Sequence, residues 1–504
     1  MKVLTDTDQS AIDEMASAFA RAIGVTTVPY ELQQVGDRQF VKFEVGKEAP
    51  LYTWALHRAQ QSVDLENPFR GAVGLKVAQK TVAFPSSLEA NALLTLLTRS
   101  TREVSEGDFG RVYNVPYIPF QNREDHQLAQ PASHIVRGRR GVGKSTLIGR
   151  AIEILHQTPA LVLVLDVQTY STLVGEDLYR EVLYDICQGF SQIREGERSE
   201  NLRKVAEDIL EGKTAINRAP VLIKRALGAL IEETDSPAYL FLDDFHLIDF
   251  DEQPRLLHYV HASLKGAGGW LKVAGISSLL NVYSPETREG LQVPGDAQFI
   301  SLDLTLENPE AAESHLRAIL GSFLNAVGYS LTQSVIPTRA FRRLVWATAG
   351  VPRDFLQMFA RAIEHAQRNK HTTVTLSDVN MVIGEFGQQK MDDLVRDARN
   401  EADELKIFLR HIEDTCLGEK KVNAFLVRSE DTKARDLVHA LSDLRMVHLI
   451  HRSITPDKAG QPYEAYIIDY SLFTGFRRRP NVKEMVPAEA QFRAAELRAL
   501  PKIK

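Results

Sequence analysis

The residue pattern with the clearest chemistry is a glycine-rich octapeptide, GRRGVGKS, at residues 138–145. It satisfies G-x-x-x-x-G-K-[ST] in full, with an apolar HIV segment before it and the helix-like STLIGRAIEIL after it. Glycines let the backbone curl so that its amide groups point at an anion, and the start of the following helix adds positive charge. The sequence therefore predicts a polyphosphate-binding loop. Its candidate ligand-binding residues are Gly138, Arg139, Arg140, Gly141, Val142, Gly143, Lys144, Ser145 and Thr146.

Two side chains of this loop are suited to contact the polyphosphate and its metal ion. In such loops the lysine, here Lys144, reaches the β- and γ-phosphates, and the hydroxyl, here of Ser145, binds Mg²⁺. The two arginines, Arg139 and Arg140, either add positive potential or face solvent. The predicted ligand is a nucleoside triphosphate with Mg²⁺.

A pair of acids follows an apolar run about one hundred residues beyond the loop. The segment YLFL at residues 239–242 predicts a buried strand, and Asp243 and Asp244 end it. Hydrolysis of a bound nucleotide needs a carboxylate for the metal ion and a group that positions water. Asp243 is therefore the second candidate Mg²⁺ ligand, and Asp244 is the candidate to orient or deprotonate the attacking water. The alternative is an ordinary surface turn after a buried strand.

Five strand-like runs between Ser133 and residue 306 must position these groups. They are HIVRG, LVLVLDV, AYLFLDD, LKVAGIS and QFISLDL, and helical patterns separate them. Such alternation predicts an α/β fold with a parallel sheet that carries helices on both faces. Residues 1–110 instead predict a small α+β module without catalytic residues, which we interpret as a docking or oligomerisation module.

Composition and charge restrict the class of protein. The 504 residues include two cysteines, Cys187 and Cys416, which excludes a disulfide scaffold and favours a reducing, cytoplasmic setting. A net charge of −6 argues against a polycation that coats nucleic acid. The amino terminus lacks the apolar run of a signal peptide, and no apolar stretch approaches the roughly 20 residues of a membrane span, so we expect no membrane partner.

Taken together, the loop and the double acid resemble those of AAA+ or STAND-type ATPases, and in particular of origin-recognition-type initiator ATPases. The resemblance covers about residues 118–475 and implies ATP and Mg²⁺ as ligands. It divides the chain into a P-loop core at 111–306, a helical lid at 307–398, a winged-helix domain at 399–476 and a basic tail at 477–504.

Three further residues gain roles from this resemblance. Ser278 falls where initiator ATPases sense the γ-phosphate, and Arg353, after Gly350-Val351-Pro352, falls where a lid arginine reaches the same group. Arg288 occupies a plausible position for an arginine finger that acts on a neighbouring subunit. Each has an ordinary alternative: a turn cap for Ser278, a solvated arginine in the first turn of a helix for Arg353, and a surface arginine for Arg288.

One departure from the resemblance affects the expected rate. Many AAA+ enzymes have Glu where this chain has Asp244, whereas STAND proteins and some others have Asp. The shorter side chain positions water differently, so we expect tight binding of Mg-ATP with slow, switch-like or partner-stimulated turnover.

The carboxyl-terminal part predicts a helix, a strand, a second helix and a hairpin, which together resemble a winged-helix domain. Residues 399–476 contain eleven basic and thirteen acidic residues, which is not the one-sided charge of a phosphate-tracking face. The tail from Arg477 contains eight basic and three acidic residues, so it either contacts DNA or merely aids solubility. Double-stranded DNA and a protein therefore both remain candidate partners.

The leading hypothesis is an ATP-driven molecular switch that acts with sister subunits, another protein or DNA. Its setting would be replication initiation, transposition or anti-phage defence. The alternatives are a regulatory DNA-binding protein in which ATP is structural, and a signalling scaffold that oligomerises.

Overall fold

The computed structural model describes most of the chain. The described residues are 6–36, 38–78, 82–100, 117–397, 402–456, 461–474, 481–485 and 492–503. They form two compact units. We call Pro119–Asp303 the central unit, and Met1–Ile118 together with Leu304–Lys504 the outer unit. Within the described residues, no helix combines the length and the apolar character that crossing a bilayer requires.

The amino-terminal segment of the outer unit is an α+β arrangement, as the sequence predicts. Its elements are α1 (Asp6–Ile23), β1 (Tyr30–Val35), β2 (Arg38–Val45), α2 (Pro50–Ser62), β3 (Val73–Val77) and α3 (Leu88–Ser100). The sheet order is β1-β2-β3, with β1 antiparallel and β3 parallel to β2. Val41, Phe43 and Val45 are buried because alternate residues of a strand face the same side of the sheet.

The central unit contains the sheet that was expected to carry the site. Its strands are β4 (His134–Arg137), β5 (Leu161–Asp166), β6 (Ala238–Asp243), β7 (Gly269–Gly275), β8 (Tyr283–Ser284), β9 (Glu289–Gly290) and β10 (Gln298–Ser301). Its helices are α4 (Glu124–Leu128), α5 (Lys144–Leu155), α6 (Gly175–Ile193), α7 (Glu197–Leu210), α8 (Ala219–Thr234) and α9 (Gln253–Leu264).

Five of these strands form one parallel sheet in the order β10-β4-β7-β6-β5, which confirms the predicted α/β fold. Leu240, Phe241 and Leu242 of β6 are fully buried, since a parallel strand covered on both faces is apolar throughout. The carboxyl ends of β4, β6 and β7 lie at one edge of the sheet, where open α/β sheets bind their ligands.

The later part of the outer unit begins with helices and ends in a small sheet. The helices are α10 (Pro309–Ala326), α11 (Thr338–Ala347), α12 (Pro352–Arg368), α13 (Leu376–Asp397), α14 (Ala402–Glu413), α15 (Thr432–Asp443) and α16 (Ala494–Arg498). The strands are β11 (Ala424–Arg428), β12 (Val447–Ile454), β13 (Tyr463–Ile468) and β14 (Lys502–Ile503).

The amino-terminal segment packs against these helices and shares their core. The rings of Phe84 and Tyr329 meet edge to face at 5.0 Å. The Gln367 side-chain amide donates to the Pro85 carbonyl at 2.7 Å and to the Asn91 side chain at 2.9 Å. The segment is therefore docked on the helical part of its own chain. The five-part domain division stays a prediction.

The carboxyl-terminal elements follow the predicted order of helix, strand, helix and hairpin. The sheet order is β12-β13-β11-β14, and β14, which comes from the tail, pairs in parallel with β11. One helix, α15, lies between β11 and β12, whereas a helix-turn-helix needs two successive helices. The winged-helix assignment therefore stays a prediction. The basic run Arg477-Arg478-Arg479 lies outside the described residues.

Candidate functional site

The glycine-rich loop connects β4 to α5, as the sequence predicts. Gly141 and Gly143 have φ angles of 83° and 102°, in the region that favours glycine. A Cβ atom at Gly143 would meet nothing within 4 Å, so its backbone angle, not crowding, requires glycine there. Lys144 is buried, and its Nζ donates to the carbonyls of Gly138 at 3.0 Å and Arg139 at 3.2 Å.

Asp243 ends β6 beside the first turn of α5. Burial and the charge of Asp244 raise the pKa of the Asp243 carboxyl, while hydrogen bonding from the Ser145 hydroxyl and the charge of Lys144 oppose the rise. The Asp244 amide donates to Asp243 Oδ1 at 2.8 Å. The structure thus brings Asp243 next to Lys144 and Ser145, which lie about one hundred residues earlier in the sequence.

This donor set fits magnesium. Mg²⁺ prefers oxygen ligands and is usually held by one or two carboxylates, waters and the phosphates of a substrate. Ser145 and Asp243 supply a hydroxyl and a partly buried carboxylate next to each other. No group of three or more His, Cys, Asp or Glu side chains suited to a metal occurs among the described residues. A cation at this place would therefore depend on phosphate oxygens as well as on these two residues.

The two acids of the pair lie in different environments. Asp244 has a φ of 50° and begins a short 3₁₀ turn at Phe245–Leu247. Its side chain is 51% exposed, whereas Asp243 is partly buried and engaged by its neighbours. A partly buried carboxylate beside the loop suits a metal ligand, and a more accessible carboxylate next to it suits contact with water.

The proximity of His246 to Asp244 is a feature that sequence reasoning missed. Its Nδ1 lies 3.9 Å from Asp244 Oδ1. Burial is the main cause that lowers the pKa of His246, to about 4, and the charges of Lys144 and Arg140 lower it further. The charges of the loop therefore act on the imidazole. The available signal was its place two residues after the second acid.

The two loop arginines differ in their surroundings. Arg139 is buried, and both its amide and its Nε donate to Asp303 Oδ1, at 2.9 Å and 3.1 Å. Of the alternatives left open by the sequence, solvent exposure is therefore wrong for Arg139. Arg140 is exposed. No sequence motif indicated Asp303, which lies two residues beyond β10.

Within the loop, the other predicted residues take ordinary positions. Gly138 and Val142 are buried, and a Cβ at Gly138 would stand 2.9 Å from Val142 Cγ2, so the loop closes tightly there. Thr146 lies exposed in the first turn of α5.

Three predicted residues belong neither to the loop nor to the acid pair. Ser278 is exposed in a 3₁₀ turn, Ser277–Leu279, that follows β7, so it lies near the same sheet edge. Arg288 is exposed with a φ of 58° in the tight β8–β9 hairpin. Arg353 belongs to the outer unit, in the first turn of α12. Their assigned roles stay predictions.

Comparisons with known proteins agree with the position of the loop. Residues 124–263 match the family model described as an AAA ATPase domain. This stretch begins at α4, ends in α9, and contains both the loop and the acid pair. No curated protein matches the sequence.

Several solved structures are similar at low sequence identity. A Walker-type ATPase of Pyrococcus abyssi is 12% identical, with 71% of this chain and 98% of that chain covered and a TM-score of 0.43. The Drosophila ORC bound to DNA is 14% identical over 78% of this chain and 93% of its own, with a TM-score of 0.36. Cdc6p from Pyrobaculum aerophilum is 13% identical, with 73% of this chain and 95% of that chain covered and a TM-score of 0.36.

These TM-scores are below 0.5, so the assignment depends on the family match and on the geometry of the loop and the acids. The match covers the segment in which Lys144, Ser145 and Asp243 come together. The chain therefore contains an AAA ATPase domain at residues 124–263.

Proposed function

We propose that the protein is an ATP-binding and ATP-hydrolysing molecular switch of the AAA+ or STAND class, whose nucleotide state controls binding to a partner. The observation that carries this proposal is the cluster of Lys144, Ser145 and Asp243 at one edge of the parallel sheet, with the accessible Asp244 beside it. A buried lysine, a hydroxyl and two carboxylates of unequal exposure are the groups that phosphoryl transfer from ATP requires.

Each group has a separate task in this proposal. The loop amides and Lys144 bind the phosphates, and in doing so Lys144 exchanges the loop carbonyls for phosphate oxygens. Mg²⁺, held by Ser145 and Asp243, would offset negative charge on the phosphates. Asp244 accepts a proton from water as the water oxygen bonds to the γ-phosphorus. The bond from that phosphorus to the bridging oxygen breaks, and ADP leaves with the electron pair.

Three residues couple this step to the rest of the chain in the proposal. Ser278 contacts the γ-phosphate or the water, Arg353 reports the γ-phosphate to the lid, and Arg288 acts on a neighbouring subunit. Arg353 is suited to transmit a signal because Asp354, the next residue of α12, makes a partly buried ion pair with Arg445, which lies between α15 and β12. Movement of α12 would therefore move the carboxyl-terminal module with it.

The charges on α15 favour a protein over DNA as the partner. On α15, Lys433 is paired with Glu404 at 2.9 Å, and His439 lies 3.0 Å from Glu464. Arg435 donates to the Ser429 carbonyl. Cations that are already paired release few counterions from DNA, so they add little to its affinity. ATP turnover measured alone, with duplex DNA and with candidate partner proteins separates the two classes.

The experiment that tests the switch is replacement of Asp244 by Asn in the full chain. We expect kcat to fall by roughly 10²-fold or more, because the amide cannot accept the proton of the attacking water. ATP binding should remain, since Asp244 lies outside the loop. If ATP is structural instead, biological output will be unchanged when turnover is lost.

A further inference from the structure

The local fold places an imidazole next to the candidate catalytic acid. Asp244 adopts a φ of 50°, and this left-handed residue starts the turn that carries His246. The side chain of His246 is 11% exposed, whereas that of Asp244 is 51% exposed. A largely buried ring thus lies beside an acid that solvent can reach.

One nitrogen of this ring lacks a partner among the described residues. His246 Nδ1 is buried and makes no hydrogen bond to any of them. Its separation of 3.9 Å from Asp244 Oδ1 is longer than a hydrogen bond. Burying a polar atom without a hydrogen-bond partner is unfavourable, so such an atom in a native site calls for an explanation. Hydrogen bonds within active sites are often long before the substrate binds and shorten afterwards.

The charge state of the ring suits donation to a carboxylate. The charged groups that act on it are Asp244, Lys144 and Arg140, and burial keeps its pKa near 4. The ring is therefore neutral at physiological pH, with one N–H donor and one acceptor nitrogen. A neutral donor can orient the Asp244 carboxylate while leaving it free to accept a proton.

We infer that His246 is a positioning residue for Asp244, and that its Nδ1–H donates to the carboxylate and holds it toward the water that attacks the γ-phosphate. This inference rests on the proposed function, because it assigns His246 a part in the same hydrolysis. Asp is one methylene shorter than Glu, so its carboxylate needs an anchor at the correct distance from the loop. The imidazole keeps its proton throughout, and the proton of the water passes to Asp244.

Two replacements of His246 separate donation from packing. His246→Phe keeps a ring but removes the donor, and we expect kcat to fall about tenfold while the ATP dissociation constant changes by less than about twofold. His246→Asn places an amide N–H near the position of Nδ1, and we expect kcat to stay within about threefold of the wild-type value. Thermal unfolding of each variant reports whether it is folded.

A double-mutant cycle with Asp244→Asn tests whether His246 acts through the acid. We expect His246→Phe to lower kcat by less than about twofold in that background, because the carboxylate it would orient is gone. The inference is overturned if His246→Phe keeps full kcat, if the Asn variant is as slow as the Phe variant, or if the loss is the same without Asp244. A wild-type protein that binds no ATP overturns the proposed function itself, which is a different result from normal turnover in His246→Phe.

Discussion

At the scale of single residues, the environment of each group sets its task. Asp243 and Asp244 are adjacent in sequence but differ in surroundings. Hydrogen bonding from the Ser145 hydroxyl acts on the Asp243 carboxyl, whereas the side chain of Asp244 is half exposed. Burial also sets the protonation state of several histidine side chains. His134, His246 and His315 all have a lowered pKa, to about 3, 4 and 4 respectively, and burial is the main cause in each case. These groups are neutral in the fold at any pH near neutrality.

Burial of neutral histidines predicts that the protein loses stability as the pH falls. In the unfolded chain a histidine takes up a proton near pH 6.5, whereas these three do so only near 3 or 4. Between pH 7 and pH 5 the unfolded state therefore gains protons that the native state does not. Each histidine should cost roughly 2 kcal/mol of unfolding free energy at pH 5, in the unit that contains it.

Urea unfolding at pH 7 and pH 5 measures this loss. Replacing His315 by Gln should remove its share of the pH dependence, even if it lowers stability at both pH values. Equal stability at the two pH values would show that these imidazoles are not kept neutral by the fold.

At the scale of elements, one buried ion pair joins two parts of the outer unit. Lys390 of α13 lies 2.6 Å from Asp469, which follows β13, and His448 of β12 lies 2.7 Å from the same carboxylate. All three side chains are at most 3% exposed. Helix α13 is thereby fixed to the carboxyl-terminal hairpin.

Removing one partner of this cluster should be costly. We expect Lys390→Met to lower the free energy of unfolding of the outer unit by about 3–5 kcal/mol, because Asp469 would keep a buried charge without its main partner. The matched control is Lys406→Met. The Lys406 ammonium lies 3.8 Å from Asp403, whose side chain is 94% exposed, so this replacement should lower the free energy of unfolding by less than about 1 kcal/mol. Similar effects of the two replacements in denaturant unfolding would contradict this account.

The elements also show how far local sequence patterns reach. The parallel sheet and the phosphate loop could be predicted, because continuous apolar runs and a glycine-rich octapeptide are local signals. The pairing of β14 with β11 could not be predicted from the sequence, because it joins residues about seventy-five positions apart whose contact depends on packing. The bond from Arg139 to Asp303 spans 164 positions and has no motif. The position of His246 depends on the backbone angle of Asp244, which the sequence does not specify.

At the scale of the whole molecule, the groups proposed for nucleotide binding and those proposed for signal transmission lie in different units. The central unit contains the loop and the acids, and the outer unit contains Arg353, the ion-pair cluster and the docked amino-terminal segment. In the outer unit, one core extends from α1 to β14. A signal that reaches α12 therefore enters an assembly that includes both ends of the chain. This arrangement fits a switch whose output is binding to a partner.

The measurement that tests the central claim most directly is calorimetric titration of the full chain with Mg-ATP, alongside Lys144→Ala. We predict binding by the wild-type protein and at least about tenfold weaker binding by the variant, which loses the buried ammonium group of the loop. Lys224→Ala, which removes an exposed lysine of α8, should bind like the wild type. No heat from any nucleoside triphosphate with folded wild-type protein, or equal affinity in Lys144→Ala, would contradict the claim that this loop binds ATP.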